Sequence, residues 1–126
     1  MSRETFVLAD EVGADGLYHF DVDMSDSLSV YDLWLYTRLD KSNIRLVSSP
    51  GFPLTAIWTS PSGQRYSEVV YFETPLEKDF YSHQYKVLYR SGLRPVESGQ
   101  WQLSLDIDSQ VDGLCGMGLQ TVRTKE

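Results

Sequence analysis

The side chains most able to do chemistry gather early in the chain, in "YHFDVDMSDSLSVYDLWLYTRLD", residues 18–40. Asp21, Asp23 and Asp26 are spaced as a calcium loop begins. Calcium takes about six to eight oxygens on a sharply turned backbone. An EF-hand loop counted from Asp21 needs glycine where Asp26 stands and a bidentate glutamate where Asp32 stands. The match fails at the turn. A looser calcium site at Asp21, Asp23 and Asp26 stays a candidate, because alternate residues of a strand share a face about 7 Å apart. The simpler account is that aspartates at strand ends close Asx turns and keep edges soluble. On that account "DVDMSD" is the acidic exit of one strand and the approach to the next.

Acid–base catalysis near neutrality would need His19 or His83, the two imidazoles of the chain. His19 falls on the polar side of a strand pattern and His83 in a tyrosine-rich loop, and the sequence ties neither to a nucleophile. There is no G-x-S-x-G elbow, P-loop or H-E-x-x-H. "GLCGMG", 113–118, spaces its glycines as G-x-x-G-x-G and leads into a strand, so it is no dinucleotide turn. It reads as a closely packed lead into the last strand. Asp106 and Asp108 share one side of their strand as hydrated carboxylates, without the cleft that a glycosidase pair requires. Cys115 is the single cysteine, which excludes an internal disulfide and a cysteine-based zinc site. The expectation is a protein that is not an enzyme and holds no cofactor. A hydrolase would require a cleft placing His19 or His83 beside a nucleophile.

Binding is the better-supported chemistry. Eight tyrosines, five phenylalanines and three tryptophans exceed what the core of 126 residues can absorb. In "SVYDLWLYTRL", Tyr31, Leu33, Leu35 and Leu39 fall on one side, and Asp32, Trp34, Tyr36 and Arg38 on the other. Flat rings among hydrogen-bonding groups stack on sugar rings or anchor a protein partner. Asp32, Trp34, Tyr36 and Arg38 are therefore the candidate binding residues. The competing account covers this side with a loop. Trp58 and Trp101 align with apolar neighbours and read as core.

Period-two alternation, broken by turns, positions all of these groups. "WQLSLDID" is the clearest case, with Trp101, Leu103, Leu105 and Ile107 opposite Gln102, Ser104, Asp106 and Asp108. "LYHFDVD" sorts Tyr18, Phe20 and Val22 from His19, Asp21 and Asp23. "PLTAIWTS", "RYSEVVYFET", "HQYKVLYR" and "LQTVRT" read as further strands, with "NIRLVSS" and "FVLADEV" as additional candidates. "SPSGQ", 60–64, is a tight turn, and "TPLEKDFYSH", 74–83, is a helical turn or a loop. The expected fold is all-β: one domain over residues 1–126, a two-sheet antiparallel β-sandwich of jelly-roll or immunoglobulin-like type.

The net charge of −7 is uneven. Residues 1–40 carry nine acids (Glu4, Asp10, Glu11, Asp15, Asp21, Asp23, Asp26, Asp32, Asp40) against Arg3 and Arg38, while the other nine acids and nine bases balance. Such a charge repels phosphate, so neither nucleic acid nor an anionic membrane surface is an expected partner. No apolar run reaches the roughly 18–20 residues of a membrane helix, and no leader pattern opens the chain.

The succession "DMSDSLSVYDLWLYTRLD", "IWTSPSGQRYSEVV", "SGQWQLSLDI" and "LCGMGLQTVR" resembles the gliding-motility lipoprotein GldH family of Bacteroidota. The shared features are an acid–serine lead into Y-x-L-x-L-x-x-R, a P-x-G turn, G-x-W-x-L-x-L and a closing G-x-G-L, from "YHF" to "TVR". The resemblance implies a cell-envelope lipoprotein of the gliding or surface machinery, periplasm-facing and without known catalysis, which docks other envelope proteins. It also implies a membrane tether through an N-terminal lipidated cysteine, and no cysteine stands near Met1. The alternative expectation is a carbohydrate-binding module, with Trp34 and Tyr36 stacking on a glycan.

Overall fold

The structure is a computed structural model that describes residues 2–40, 51–73, 82–107 and 114–125. Its strands are β1 (Ser2–Leu8), β2 (Tyr18–Met24), β3 (Ser29–Asp40), β4 (Gly51–Thr59), β5 (Arg65–Glu73), β6 (Ser82–Leu93), β7 (Gly99–Ile107) and β8 (Leu114–Lys125). They form two four-stranded antiparallel sheets, ordered β1-β8-β3-β6 and β2-β7-β4-β5. β1 pairs with β8, β2 with β7, β3 with β6 and β4 with β5. The chain is thus one long nested hairpin whose successive rungs land in alternate sheets. That winding is the jelly roll, and it decides between the two sandwich types left open by the sequence.

The alternation explains why the strands form where they do. In β2, Tyr18, Phe20, Val22 and Met24 are buried while His19, Asp21 and Asp23 face water. In β3, Tyr31, Leu33, Leu35 and Thr37 point inward, and in β7 Trp101, Leu103 and Leu105 meet them from the other sheet. Each fully buried large apolar side chain contributes about 1.5–3 kcal/mol, so a one-residue slip would turn a whole row of them outward. Thr37 is the polar exception on the inner side of β3. Its hydroxyl donates to the Gly116 carbonyl at 2.6 Å.

Three local expectations change. "FVLADEV" is not one strand: β1 starts at Ser2 and ends at Leu8, and Ala9–Glu11 coil into a 3-10 turn. The Glu11 carboxylate closes that turn by accepting from the Leu8 N–H at 3.0 Å. "GLCGMG" does not merely precede the last strand, because β8 begins at Leu114 and runs through Gly116 and Gly118. β6 begins at Ser82, so His83 belongs to a strand and not to a loop. The "SPSGQ" turn is closed as expected by Gly63 N–H donating to Ser60 O at 2.9 Å, with Gly63 at φ 93°. "NIRLVSS" and residues 74–81 lie outside the described part.

Candidate functional site

The outward side of the β1-β8-β3-β6 sheet is built around glycine. Register places Phe6 of β1 and Tyr36 of β3 on either side of Gly118, and Leu8 beside Gly116. A Cβ at Gly118 would stand 2.1 Å from Tyr36 Cζ, and one at Gly116 would stand 2.7 Å from Phe6 Cε1. The rings therefore lie down over the β8 backbone, where any side chain would prop them up. Their centroids are 5.7 Å apart and their planes differ by 25°. Trp34 continues the row towards β6, where it pairs in register with Leu88, itself exposed. Leu8, Phe6, Tyr36, Trp34 and Leu88 thus form an apolar stripe across the sheet.

Polar groups frame this stripe. Lys86 Nζ lies 5.0 Å from the centroid of the Trp34 ring and also bonds to Gln120 Oε1. Gln120 Nε2 donates to Ser2 Oγ at 3.0 Å. Burial, and then the nearby Glu4 charge, push the Tyr36 phenol above its ordinary pKa. Asp32 has a different task. Its carboxylate accepts from the Gly92 N–H at 2.7 Å, beside the register shifts between β3 and β6. It holds an irregular strand edge in place. Arg38 pairs in register with Gly116 of β8, and its side chain lies outside the described part. Of the four expected binding residues, Trp34 and Tyr36 lie together on the surface. Phe6 and the two glycines were missed.

The candidate calcium set does not gather. Asp21 projects outward from β2. Asp23 Oδ1 accepts from Ser25 N at 3.1 Å and from Ser25 Oγ at 2.6 Å, which lowers its pKa. Asp26 Oδ1 accepts from Leu28 N and its Oδ2 from Ser29 Oγ, both at 2.9 Å. These bonds close the turn between β2 and β3 in the manner of Asx turns. Among the described residues no group of three or more His, Cys, Asp or Glu side chains is placed to hold a metal ion.

His19, which no sequence motif ties to a nucleophile, has two side-chain partners in the fold. Its Nε2 lies 2.7 Å from Asp15 Oδ2 and its Nδ1 lies 2.7 Å from Ser104 Oγ. With Asp15 ionised, neutral His19 carries its proton on Nε2 and Nδ1 accepts from the serine hydroxyl. The register that pairs His19 with Ser104 joins strands 85 positions apart, so no local motif announces it. Serine, base and orienting carboxylate are the parts of an activated nucleophile. However, Ser104 is buried in mid-strand and β7 is paired on both sides, to β2 and to β4. Its backbone N–H groups are committed to the ladders, which leaves none of them to act as an oxyanion hole. The chain of bonds orients His19 and satisfies a buried hydroxyl. The side chain of His83 lies outside the described part.

Trp58 and Trp101 are buried, as expected, and meet edge to face at 6.0 Å. Trp58 Nε1 donates to Tyr89 Oη at 2.9 Å, and Tyr89 Oη donates to Glu68 Oε2 at 3.0 Å. Burial raises the Tyr89 phenol to about 12. Glu68 also pairs with Arg90, whose guanidinium sits 4.6 Å over the Tyr89 ring.

No family model matches this sequence, and no curated protein is significantly similar to it. The resemblance to the GldH family therefore rests on the order of its motifs alone.

Proposed function

We propose that this chain is a non-enzymatic docking domain of the cell envelope, of the GldH lipoprotein kind, which meets other envelope proteins through the outward side of the β1-β8-β3-β6 sheet. The observation that carries the reading is the pair of rings, Phe6 and Tyr36, laid over Gly118 and Gly116 within an apolar stripe. Rigid aromatic area costs little side-chain entropy on binding and commonly anchors protein interfaces. Glu4, Gln120 and Lys86 supply a polar rim around it. An N-terminal lipid on a preceding cysteine would tether the domain in the periplasm. The absence of β7 N–H groups able to serve Ser104 as oxyanion donors supports the non-enzymatic part of the reading.

Purification from the envelope under native conditions tests the proposal. A stoichiometric partner should copurify with the unaltered chain and be lost with the Phe6→Ala/Tyr36→Ala double variant. Recovery of the same partner with the variant, or unaltered surface assembly when the gene is deleted, would overturn it.

A second reading, a glycan-binding module, draws on the same flat rings, since sugar faces stack on exposed aromatics. Lys86 over Trp34 moves the stacking platform to Phe6 and Tyr36. Glycan-array binding abolished by Tyr36→Ala would favour it.

A further inference from the structure

A cavity of about 220 Å³ opens at the end of the sandwich that carries the β4–β5 and β6–β7 turns. Trp58 and Trp101 line it with their planes 82° apart and their centroids 6.0 Å apart, and Tyr66 leans on Trp101 at 6.2 Å. Met24, Leu93 and Val96 add aliphatic surface. Both indole N–H groups are spent inside the fold, on Tyr89 Oη at 2.9 Å and on the Glu97 carbonyl at 2.8 Å. The rings therefore offer the cavity carbon and π surface, not donors. One wall, Arg94–Val96, belongs to a connection that is pinned in place. Ser62 Oγ donates to Glu97 Oε2 at 2.9 Å, and Gly99 packs so tightly on Pro61 that a Cβ there would stand 2.8 Å from its Cγ. The cavity is thus preformed, as ligand sites usually are.

The charges around it are already matched. Glu68 pairs with Arg90 and accepts from Tyr89 Oη, Arg94 has a partner of its own, and Glu97 accepts from Ser62 Oγ. A charged ligand would shed water here only to meet ions whose bonds are made, which costs free energy. An uncharged ligand escapes that cost. Size narrows the choice further. An apolar cavity of about 150 Å³ is enough to hold benzene, so this one has room for a substituted ring or two fused rings. Shape completes the argument. Two rings near a right angle form a corner in which a third aromatic can stack on one plane and turn its edge to the other. A saturated ring would fill the same space without those contacts.

We infer that the cavity binds an uncharged aromatic small molecule of one ring or two fused rings, held in the corner between Trp58 and Trp101. The inference requires neither the aromatic stripe nor a protein partner.

The test is an NMR titration of the whole chain, labelled with ¹³C at its methionine methyl groups, with p-cresol. Met24 lines the cavity. Met117 is the internal control: it pairs with Thr37, which stands about 20 Å along β3 from Tyr31, the register partner of Leu93. A saturable ring-current shift of Met24 with Met117 unmoved is expected. Tyr66→Ala should weaken binding about tenfold by removing one of three rings, and Tyr66→Phe should restore it. Tyr66 is 47% exposed on an outer strand, and an unshifted Met117 signal would show that the variant keeps its fold. No Met24 shift at millimolar p-cresol would overturn the inference. So would an equal response to 4-methylbenzoate, 4-methylbenzylammonium or 4-methylcyclohexanol, which keep the size but change the charge or the aromaticity. Tighter binding of acetyl-tyrosine-amide, which carries the same ring on a main chain, would also overturn it, because the occupant would then be a side chain of a partner.

Discussion

Tyr36 lies across Gly118 so closely that a Cβ on the glycine would stand 2.1 Å from Tyr36 Cζ. The three nearest atoms to that Cβ all belong to the Tyr36 ring. At Gly116 the nearest atom is instead the backbone oxygen of Val7, at 2.3 Å. The two glycines make room for different things: one for a ring, the other chiefly for a neighbouring strand.

Gly118→Ala should therefore destabilise the fold by about 1–3 kcal/mol through overpacking, and Tyr36→Ala should relieve most of that cost. Gly116→Ala should destabilise at least as much, with only partial relief from Phe6→Ala, because the clash with the Val7 carbonyl remains. Double-mutant cycles by chemical denaturation measure both couplings. Equal relief at the two positions would contradict the account of the glycine row.

Tyr89→Phe removes the acceptor of the Trp58 indole N–H, and Trp58 is only 8% exposed. An orphaned buried donor costs about 1–3 kcal/mol, and the fall in stability should appear in urea unfolding. In the unaltered chain the Tyr89 phenolate should form only near pH 12, which ultraviolet titration detects as a late tyrosine. A variant as stable as its parent would show that the Trp58–Tyr89 bond is not formed.

Asp15 has its pKa lowered below 3.8, first by the Leu17 N–H and then by His19. A carboxyl whose folded pKa is depressed adds stability above its unfolded pKa and loses it as pH falls through the folded one. Asp15→Asn should therefore flatten the acid limb of the stability curve, below about pH 4, and leave its neutral part with the same slope. Thermal melts at a series of pH values check this. An unchanged acid limb would mean that Asp15 is not held by these partners in solution.

Ser104→Ala should leave the slow background hydrolysis of p-nitrophenyl acetate unaltered, because the β7 N–H groups around the serine are committed to the ladders with β2 and β4. Turnover that depends on both Ser104 and His19 would instead make the Asp15–His19–Ser104 chain catalytic and end the non-enzymatic reading.

The strands β2, β3 and β7 were legible because period-two sorting is local: each carries its own record of which side is buried. Trp34 and Tyr36 were placed on the surface by the same rule. What escaped depends on which strand lies beside which. Phe6, Tyr36 and Gly118 come from three strands that meet only through the β1-β8-β3 order, and His19 meets Ser104 only through the β2–β7 register. Asp32 looked like a surface ligand because the irregular pairing that brings Gly92 N–H to it leaves no mark in the alternation. Glu11 after "FVLAD" did carry a signal, since a glutamate three residues on can close a turn back onto Leu8.

Site-specific photocrosslinking in cells that carry the gene tests the docking claim most directly. Glu4, on the same side of β1 as Phe6, and Ser67, exposed on β5 of the other sheet, would each be replaced by benzoylphenylalanine. The account predicts a discrete envelope-protein adduct from position 4 that disappears when Tyr36→Ala is added, and none from position 67. An adduct from position 67 alone, or one from position 4 that survives loss of the Tyr36 ring, would contradict it.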